Sequence, residues 1–314
     1  MSKILVTGAL GQIGSELIPR LREINGAENV VAVGHHKEPD EAFRQAGPFE
    51  MADIRDKEQL RGLIEKYQIN IIYHLVGILS AVGEKKPDLA WDVNMNSLKN
   101  VLDLALEYGI NQVFWPSSIA AFGLTTPLMD TPQRTVLEPT TIYGVTKVAG
   151  ELLCQYYFVK YGLDVRSLRY PGIISWKTLP GGGTTDYAVA VYFDAIKQNT
   201  YDFFVNEETV LPMMYMDDAV RATIELMAAK KEKITVRTAY NLSAVSFSAR
   251  ELADNVAKYM PGFQASFSPD ERQKIADSWP RTIDDSQAKL DWSWQPEFDL
   301  DKISQIMLDN IKKL

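Results

Sequence analysis

One cysteine and three histidines among 314 residues leave this chain almost without thiol or imidazole ligands. Cys154 has no partner for an internal disulfide, and no cysteine cluster is available for a structural zinc. It lies in the apolar stretch Leu152-Leu153-Cys154, where a packed core thiol is expected, and a reducing, cytoplasmic setting follows. His35 and His36 are adjacent, so on a strand they point to opposite faces. With no acid or cysteine cluster to complete a site, no metal is expected. His74 falls in an apolar run and reads as a hydrogen-bonded core residue. No run of about 18 apolar residues is present to span a bilayer. The chain enters an apolar strand at Ile4, which leaves no room for a signal peptide ahead of it. Positive charge is scarce: 33 Lys and Arg against 41 Asp and Glu give a net charge of -8, which argues against nucleic acid as a partner. Internal repeats and low-complexity segments are absent as well.

What the sequence does contain is an alternation of short apolar runs and helical patterns. The runs are Ile4-Leu5-Val6, Val30-Val31-Ala32-Val33, Ile71 to Val76, Gln112 to Trp115 and Asp164 to Arg169. Between them, Lys57 to Tyr67, Asn94 to Tyr108 and Tyr143 to Tyr161 carry apolar residues at helical spacing. Such alternation predicts an α/β fold, a Rossmann-type doubly wound parallel sheet covered on both faces. Composition shifts after Arg169, where Pro171-Gly172 and Pro180-Gly181-Gly182-Gly183 interrupt regular structure. The expected division is a dinucleotide-binding domain over 1–172 plus about 212–246, and a smaller C-terminal substrate lobe over about 173–211 and 247–314. Trp292, Trp294 and Phe298 are expected to pack beneath that lobe, and Asp217 and Asp218 to cap a helix.

The first strand leads into Thr7-Gly8-Ala9-Leu10-Gly11-Gln12-Ile13-Gly14 and then a helical pattern. Strand, glycine turn and helix is the context in which a backbone approaches a pyrophosphate. The spacing is Gly-x2-Gly-x2-Gly. Further along, Tyr143 and Lys147 stand four apart, so on a helix they share one face, with Ser118 upstream. A fixed cation beside a phenol favours the phenolate and lowers its pKa from about 10, which a tyrosine needs to accept a proton. Ligands in parallel sheets sit beyond the carboxyl ends of the strands. Gly8 to Gly14, Asp53, Ser80, Ser118 and Pro171 all follow predicted strands.

With these residues in view, the chain resembles the extended short-chain dehydrogenase/reductase family over its whole length. The resemblance rests on Gly8, Gly11 and Gly14, on Asp53, Asn94, Ser118, Tyr143 and Lys147, and on Arg169-Tyr170-Pro171 and Tyr215-Met216-Asp217-Asp218. Arg169-Tyr-Pro-Gly-Ile-Ile-Ser175 followed by Pro180-Gly-Gly-Gly-Thr-Thr-Asp-Tyr-Ala188 is similar to its zinc-independent L-threonine 3-dehydrogenase subgroup. The resemblance implies NAD-dependent oxidation of L-threonine at the β-carbon to 2-amino-3-oxobutyrate. It implies Tyr143 as the base, Ser118 as hydrogen-bond donor to the same oxygen, Lys147 on the nicotinamide ribose and Asn94 fixing the helix and a water. Gly8, Gly11, Gln12, Ile13, Gly14, Asp53, Ile54, Leu75, Tyr143, Lys147, Tyr170 and Pro171 would hold the cofactor. Ser80, Ser118, Tyr143, Thr184, Thr185 and Trp279 would meet the substrate. The family usually forms a homodimer, paired through the Asn94 to Tyr108 and Tyr143 to Tyr161 helices.

A zwitterionic substrate brings a carboxylate and an ammonium that must not be buried unpaired. The N–H groups of Gly181 to Gly183 and the hydroxyls of Thr184 and Thr185 form a candidate carboxylate cradle, in a segment expected to close as a lid. Trp279 is expected either there or in the core. One departure stands out: Gly34 occupies the place where the family carries an acid for the adenosine ribose, followed by His35, His36 and Lys37. Remaining contacts, Asp53 among them, are expected to hold NAD, while the loss of the acid removes a barrier to NADP. Two rival functions share much of this pattern. A nucleotide-sugar epimerase, reductase or dehydratase needs basic residues for a diphosphate, yet only Lys197 is basic between Thr184 and Leu211. A non-catalytic dinucleotide sensor has no need for Ser118, Tyr143 and Lys147 together.

Overall fold

In the computed structural model, which describes residues 2–314, the apolar runs pair side by side. Six parallel strands form one sheet in the order Phe49–Met51, Val30–Gly34, Ile4–Thr7, Ile71–His74, Gln112–Phe114 and Asp164–Arg166. Alternate residues of the first strand enter different cores, because successive side chains on a strand point to opposite faces. Leu5 packs with Leu60, Leu98, Val101 and Cys154 beneath helices Lys57–Tyr67, Ser97–Glu107 and Ile142–Tyr161. Ile4 and Val6 pack with Leu17, Ile18 and Leu226 beneath helices Gly14–Asn25 and Met216–Ala228. Winding reverses between Ile4–Thr7 and Ile71–His74, which are adjacent in the sheet with Thr7 opposite His74. Beyond this switch point a crevice opens at the carboxyl ends of the strands.

His74 is fully buried at that junction, between the Thr7 hydroxyl at 2.8 Å and the Ser97 hydroxyl at 2.9 Å. Burial pushes its pKa down to about 3, so it is a neutral, hydrogen-bonded core residue, as its apolar surroundings in sequence suggest.

Four local expectations change. The run Asp164 to Arg169 is two strands, Asp164–Arg166 and Leu168–Tyr170. The second leaves the main sheet to pair with Ser117–Ser118 and Tyr240–Asn241. Asn94 lies in a π-helical turn, Asp92–Asn96, ahead of the regular helix. Trp292 and Trp294 pack on the main sheet with Tyr240 and Leu226, and only Phe298 turns to the other lobe, because the chain crosses back over the sheet before its last helix. Asp217 and Asp218 sit inside the first turn and cap nothing. Fully buried Asp218 instead accepts from the backbone N–H groups of Glu297 and Phe298, tying down that crossing segment.

A third buried cluster gathers helices Tyr187–Gln198, Ala249–Tyr259 and Leu300–Ile311 around Tyr192, Phe203, Phe247 and Trp279. Strands Gly172–Ile174, Val210–Tyr215 and Val245–Ser248 form its mixed sheet. Among the described residues no helix is long and apolar enough to cross a membrane.

Candidate active site

The glycine turn comes first along the chain. Gly11 N–H donates to the Gly8 carbonyl at 3.0 Å, and helix Gly14–Asn25 starts without a side-chain cap on its N–H groups. Uncapped N–H groups at a helix start are an anion site, and a pyrophosphate fits one. A Cβ on Gly14 would lie 2.3 Å from the Gly8 carbonyl oxygen, so only glycine lets the turn close this tightly.

Helix Ile142–Tyr161 begins at Thr141, whose hydroxyl accepts from Gly144 N–H at 3.0 Å, and this cap sets the phase in which Tyr143 and Lys147 face one cleft. Ser118 reaches the same cleft from the end of strand Ser117–Ser118. That strand is fixed from behind by the fully buried Glu151, one turn past Lys147. Its carboxylate accepts from the Ser117 hydroxyl at 2.6 Å and from Arg169 at 2.6 and 2.9 Å. Breaking such a buried pair by removing one partner costs about 3–5 kcal/mol, so the network is a rigid support.

The Lys147 ammonium donates to the Pro116 carbonyl at 2.6 Å and lies 5.3 Å from the Tyr143 ring centroid. Asn94 does not line the cleft. It clasps the Ile78 backbone, accepting at 2.7 Å and donating at 3.1 Å, and donates to the Thr146 hydroxyl at 3.0 Å. The π-helical turn points this amide at two elements at once, and such turns recur at functional sites.

The electrostatics differ from the sequence expectation. Burial pushes Tyr143 up to about 12, opposed by its hydrogen bond to Ser118, and burial draws Lys147 down to about 7. The protein alone therefore holds a protonated phenol beside a weakened cation. Desolvation is the dominant cause of both shifts. A further positive charge in the cleft, or alkaline pH, is what would turn Tyr143 into a proton acceptor.

Gln12, Ile13, Leu75, Ser80, Tyr170, Pro171, Thr184, Thr185 and Trp279 line this cleft with Ser118, Tyr143 and Lys147. Trp279 does so while buried in the second lobe's core, so both of its expected places are occupied by one indole. Gly8, Asp53 and Ile54 line a separate depression with Gly34 and His35, and Gly11 and Gly14 shape the turn between the two.

The triple glycine departs from its expected role. The N–H groups of Gly182 and Gly183 both donate to Asp186 Oδ2 at 2.7 Å, so a carboxylate of the chain itself fills that cradle. Asp186, absent from the residues singled out by sequence, is the only carboxylate lining the cleft among the described residues, and burial raises its pKa. A signal was there: a zwitterion needs an anion for its ammonium, and Asp186 follows Thr184-Thr185 directly. The hydroxyls of Ser80, Thr184 and Thr185 have no hydrogen-bond partner among the described residues. Among the described residues Lys147 is the only basic side chain in the lining, and Lys197 is exposed in the last turn of its helix. One cation, one anion and several uncommitted hydroxyls suit a small polar zwitterion, with no cluster of basic side chains in the lining for a substrate diphosphate.

Residues 4–243 match the NAD dependent epimerase/dehydratase family. An uncharacterised epimerase/dehydratase of Staphylococcus haemolyticus is 46% identical over 314 residues, spanning 100% of this chain and 98% of its own. Among solved structures, an L-threonine dehydrogenase from Clostridium difficile superposes with a TM-score of 0.96 at 46% identity, over 100% of this chain and 98% of that one. A monomeric L-threonine 3-dehydrogenase from a metagenome superposes with a TM-score of 0.94 at 50% identity, over 99% of each chain.

Proposed function

The chain belongs to the NAD dependent epimerase/dehydratase family, and on that footing we propose that it oxidises L-threonine at the β-carbon to 2-amino-3-oxobutyrate with NAD as the oxidant. The observation that carries this reading is the lining of the cleft, which brings Tyr143, Ser118 and Lys147 together with one carboxylate and hydroxyls unpartnered among the described residues. The similarity to L-threonine dehydrogenases at 46–50% identity supports it.

In this reading Tyr143 takes the proton of the β-hydroxyl, and Ser118 hydrogen-bonds the oxygen as it becomes a carbonyl. Asp186 faces the substrate ammonium, while Ser80, Thr184 and Thr185 donate to its carboxylate and Trp279 closes the apolar side. Lys147 holds the nicotinamide ribose, and Asn94 keeps the Ile78 loop and the Thr146 turn in register around it. Gly8 to Gly14, Asp53, Ile54, Leu75, Tyr170 and Pro171 seat the rest of the dinucleotide. When bound, NAD supplies the hydride acceptor and a positive charge on the nicotinamide ring.

The dinucleotide is assigned to residues 1–172 with about 212–246, and the substrate lobe to about 173–211 and 247–314; the cluster around Tyr192 and Phe203 supports the lobe, while Trp292 and Trp294 pack with the main sheet. A homodimer joined through helix Ile142–Tyr161 would cover Val145, Leu152, Tyr156 and Val159, all exposed in the single chain. Sedimentation at twice the 35.4 kDa chain mass is the expected result, and sedimentation at the single mass rejects the pairing.

The function is tested by initial rates. Purified protein with L-threonine and NAD is expected to form reduced nicotinamide at a rate unaffected by a metal chelator, and to leave UDP-glucose unchanged. Epimerisation of the nucleotide sugar with no turnover of L-threonine would move the assignment to the rival enzyme class.

A further inference from the structure

Strand Val30–Gly34 ends in the depression that also holds Gly8 and Asp53. A dinucleotide whose pyrophosphate sits at the glycine turn brings its adenosine ribose to the end of this strand. There an acid selects NAD by accepting from the 2′-hydroxyl. Here the position is Gly34, and a Cβ on it would stand 2.7 Å from Cζ of the Phe49 ring. Phe49 thus fills the space that an acidic side chain would need.

The carboxylate that does lie in the depression is already committed. Asp53 accepts from Arg55 Nη2 at 2.6 Å and from Arg55 Nε at 3.0 and 3.1 Å, and His35 Nε2 stands 3.5 Å away. The hydrogen bonds from Arg55 hold its pKa down at about 2, so it stays ionised and paired. On the rim, the exposed rings of His35 and His36 lie 3.6 Å apart between centroids. Lys37 beside them is exposed and has no ion-pair partner among the described residues. The neighbouring acids are engaged elsewhere: Glu38 pairs with Arg44, and Asp40 caps the helix Glu41–Gln45. The strand end therefore directs none of the carboxylates of Asp53, Glu38 and Asp40 unengaged at an incoming phosphate. It does have a free ammonium and two imidazoles to receive one.

We propose that His35, His36 and Lys37 form a subsite for a ribose 2′-phosphate, so that this chain binds NADP about as well as NAD. The inference rests on the dinucleotide reading of the preceding subsection. Discrimination between two ligands requires a contact that one of them loses or a repulsion that one of them meets. At Gly34 the contact to the 2′-hydroxyl and the repulsion of a 2′-phosphate are both missing.

Direct binding tests this without turnover. Dissociation constants for NAD and NADP are measured by calorimetry on the wild-type chain and on the separate variants Lys37→Glu and His36→Glu. Both positions are exposed, and unchanged melting temperatures would establish that the variants fold. The expected result is NADP within about tenfold of NAD for the wild type. Each charge reversal is then expected to weaken NADP by about tenfold or more and leave NAD unchanged. NAD binding with NADP more than about a hundredfold weaker would overturn the subsite and leave the dinucleotide reading intact. Tight NADP binding that ignores both variants would overturn the placement of the phosphate on this rim. Binding of neither dinucleotide would instead be a failure of the dinucleotide reading itself.

Discussion

Tyr143→Phe is expected to lower kcat for L-threonine by about 10²–10⁴-fold while leaving dinucleotide affinity unchanged. The substitution deletes one oxygen and keeps the ring, whose packing against the second lobe's core and contact with the Lys147 ammonium at 5.3 Å are retained. The proton acceptor and its hydrogen bond to Ser118 are lost. The pH dependence follows from the sign of the shift. Burial pushes Tyr143 up to about 12, so over the working range it is protonated in the protein alone, and the fraction able to accept a proton grows as pH rises. The oxidation rate of the wild type should therefore climb with pH, and a positive charge seated beside the phenol should bring that climb to lower pH. Any residual rate of the Phe variant should lack it. Retained binding with lost turnover supports an enzyme. A wild type that binds dinucleotide and turns nothing over supports the sensor.

Asp186→Asn is expected to reduce kcat/KM for L-threonine by about 30- to 4,000-fold, with dinucleotide affinity unchanged. Asparagine keeps an acceptor oxygen for the N–H groups of Gly182 and Gly183, which now donate to Asp186 at 2.7 Å, so the lid turn survives and only the charge is removed. An ammonium in a desolvated cleft then faces no anion. Loss of one partner of a buried charge pair costs about 2–5 kcal/mol, the origin of the range given. Asp186→Ala removes charge and acceptor together. An unchanged KM in the Asn variant with a defect in the Ala variant would reduce Asp186 to a staple for the glycine turn.

Most of the site is legible in sequence because its residues follow strand ends, where a parallel sheet gathers them without fine detail. Gly8 to Gly14, Ser118 and Pro171 are of this kind, and Tyr143 and Lys147 need only one helix in the right phase. Asp186 is different, since its role appears only when the loop folds back and its carboxylate meets two N–H groups three and four residues earlier. The pKa of Tyr143 was not legible either. Spacing gives the neighbouring cation, but the size of the desolvation effect depends on everything packed around the pair.

The fold shows the same boundary. Periodicity gives Lys57–Tyr67 with both its ends, because Asp56 caps the helix locally by accepting from the N–H groups of Glu58 and Gln59. The split at Ser167 depends on pairing of Leu168–Tyr170 with Ser117–Ser118 and Tyr240–Asn241, strands distant in the chain. Trp292 and Trp294 have composition but no periodicity to say which face they join, and the crossing held by Asp218 decides it.

In the proposed reaction a hydride passes from the β-carbon of L-threonine to the nicotinamide. L-threonine carrying deuterium at that carbon, incubated with the protein and NAD, tests it most directly by mass analysis of the cofactor. The expected product is reduced nicotinamide with one deuterium per turnover, formed about 10²–10⁴-fold more slowly with Tyr143→Phe. Reduced cofactor without the label, or unreduced cofactor beside intact L-threonine under conditions where NAD is bound, would contradict it.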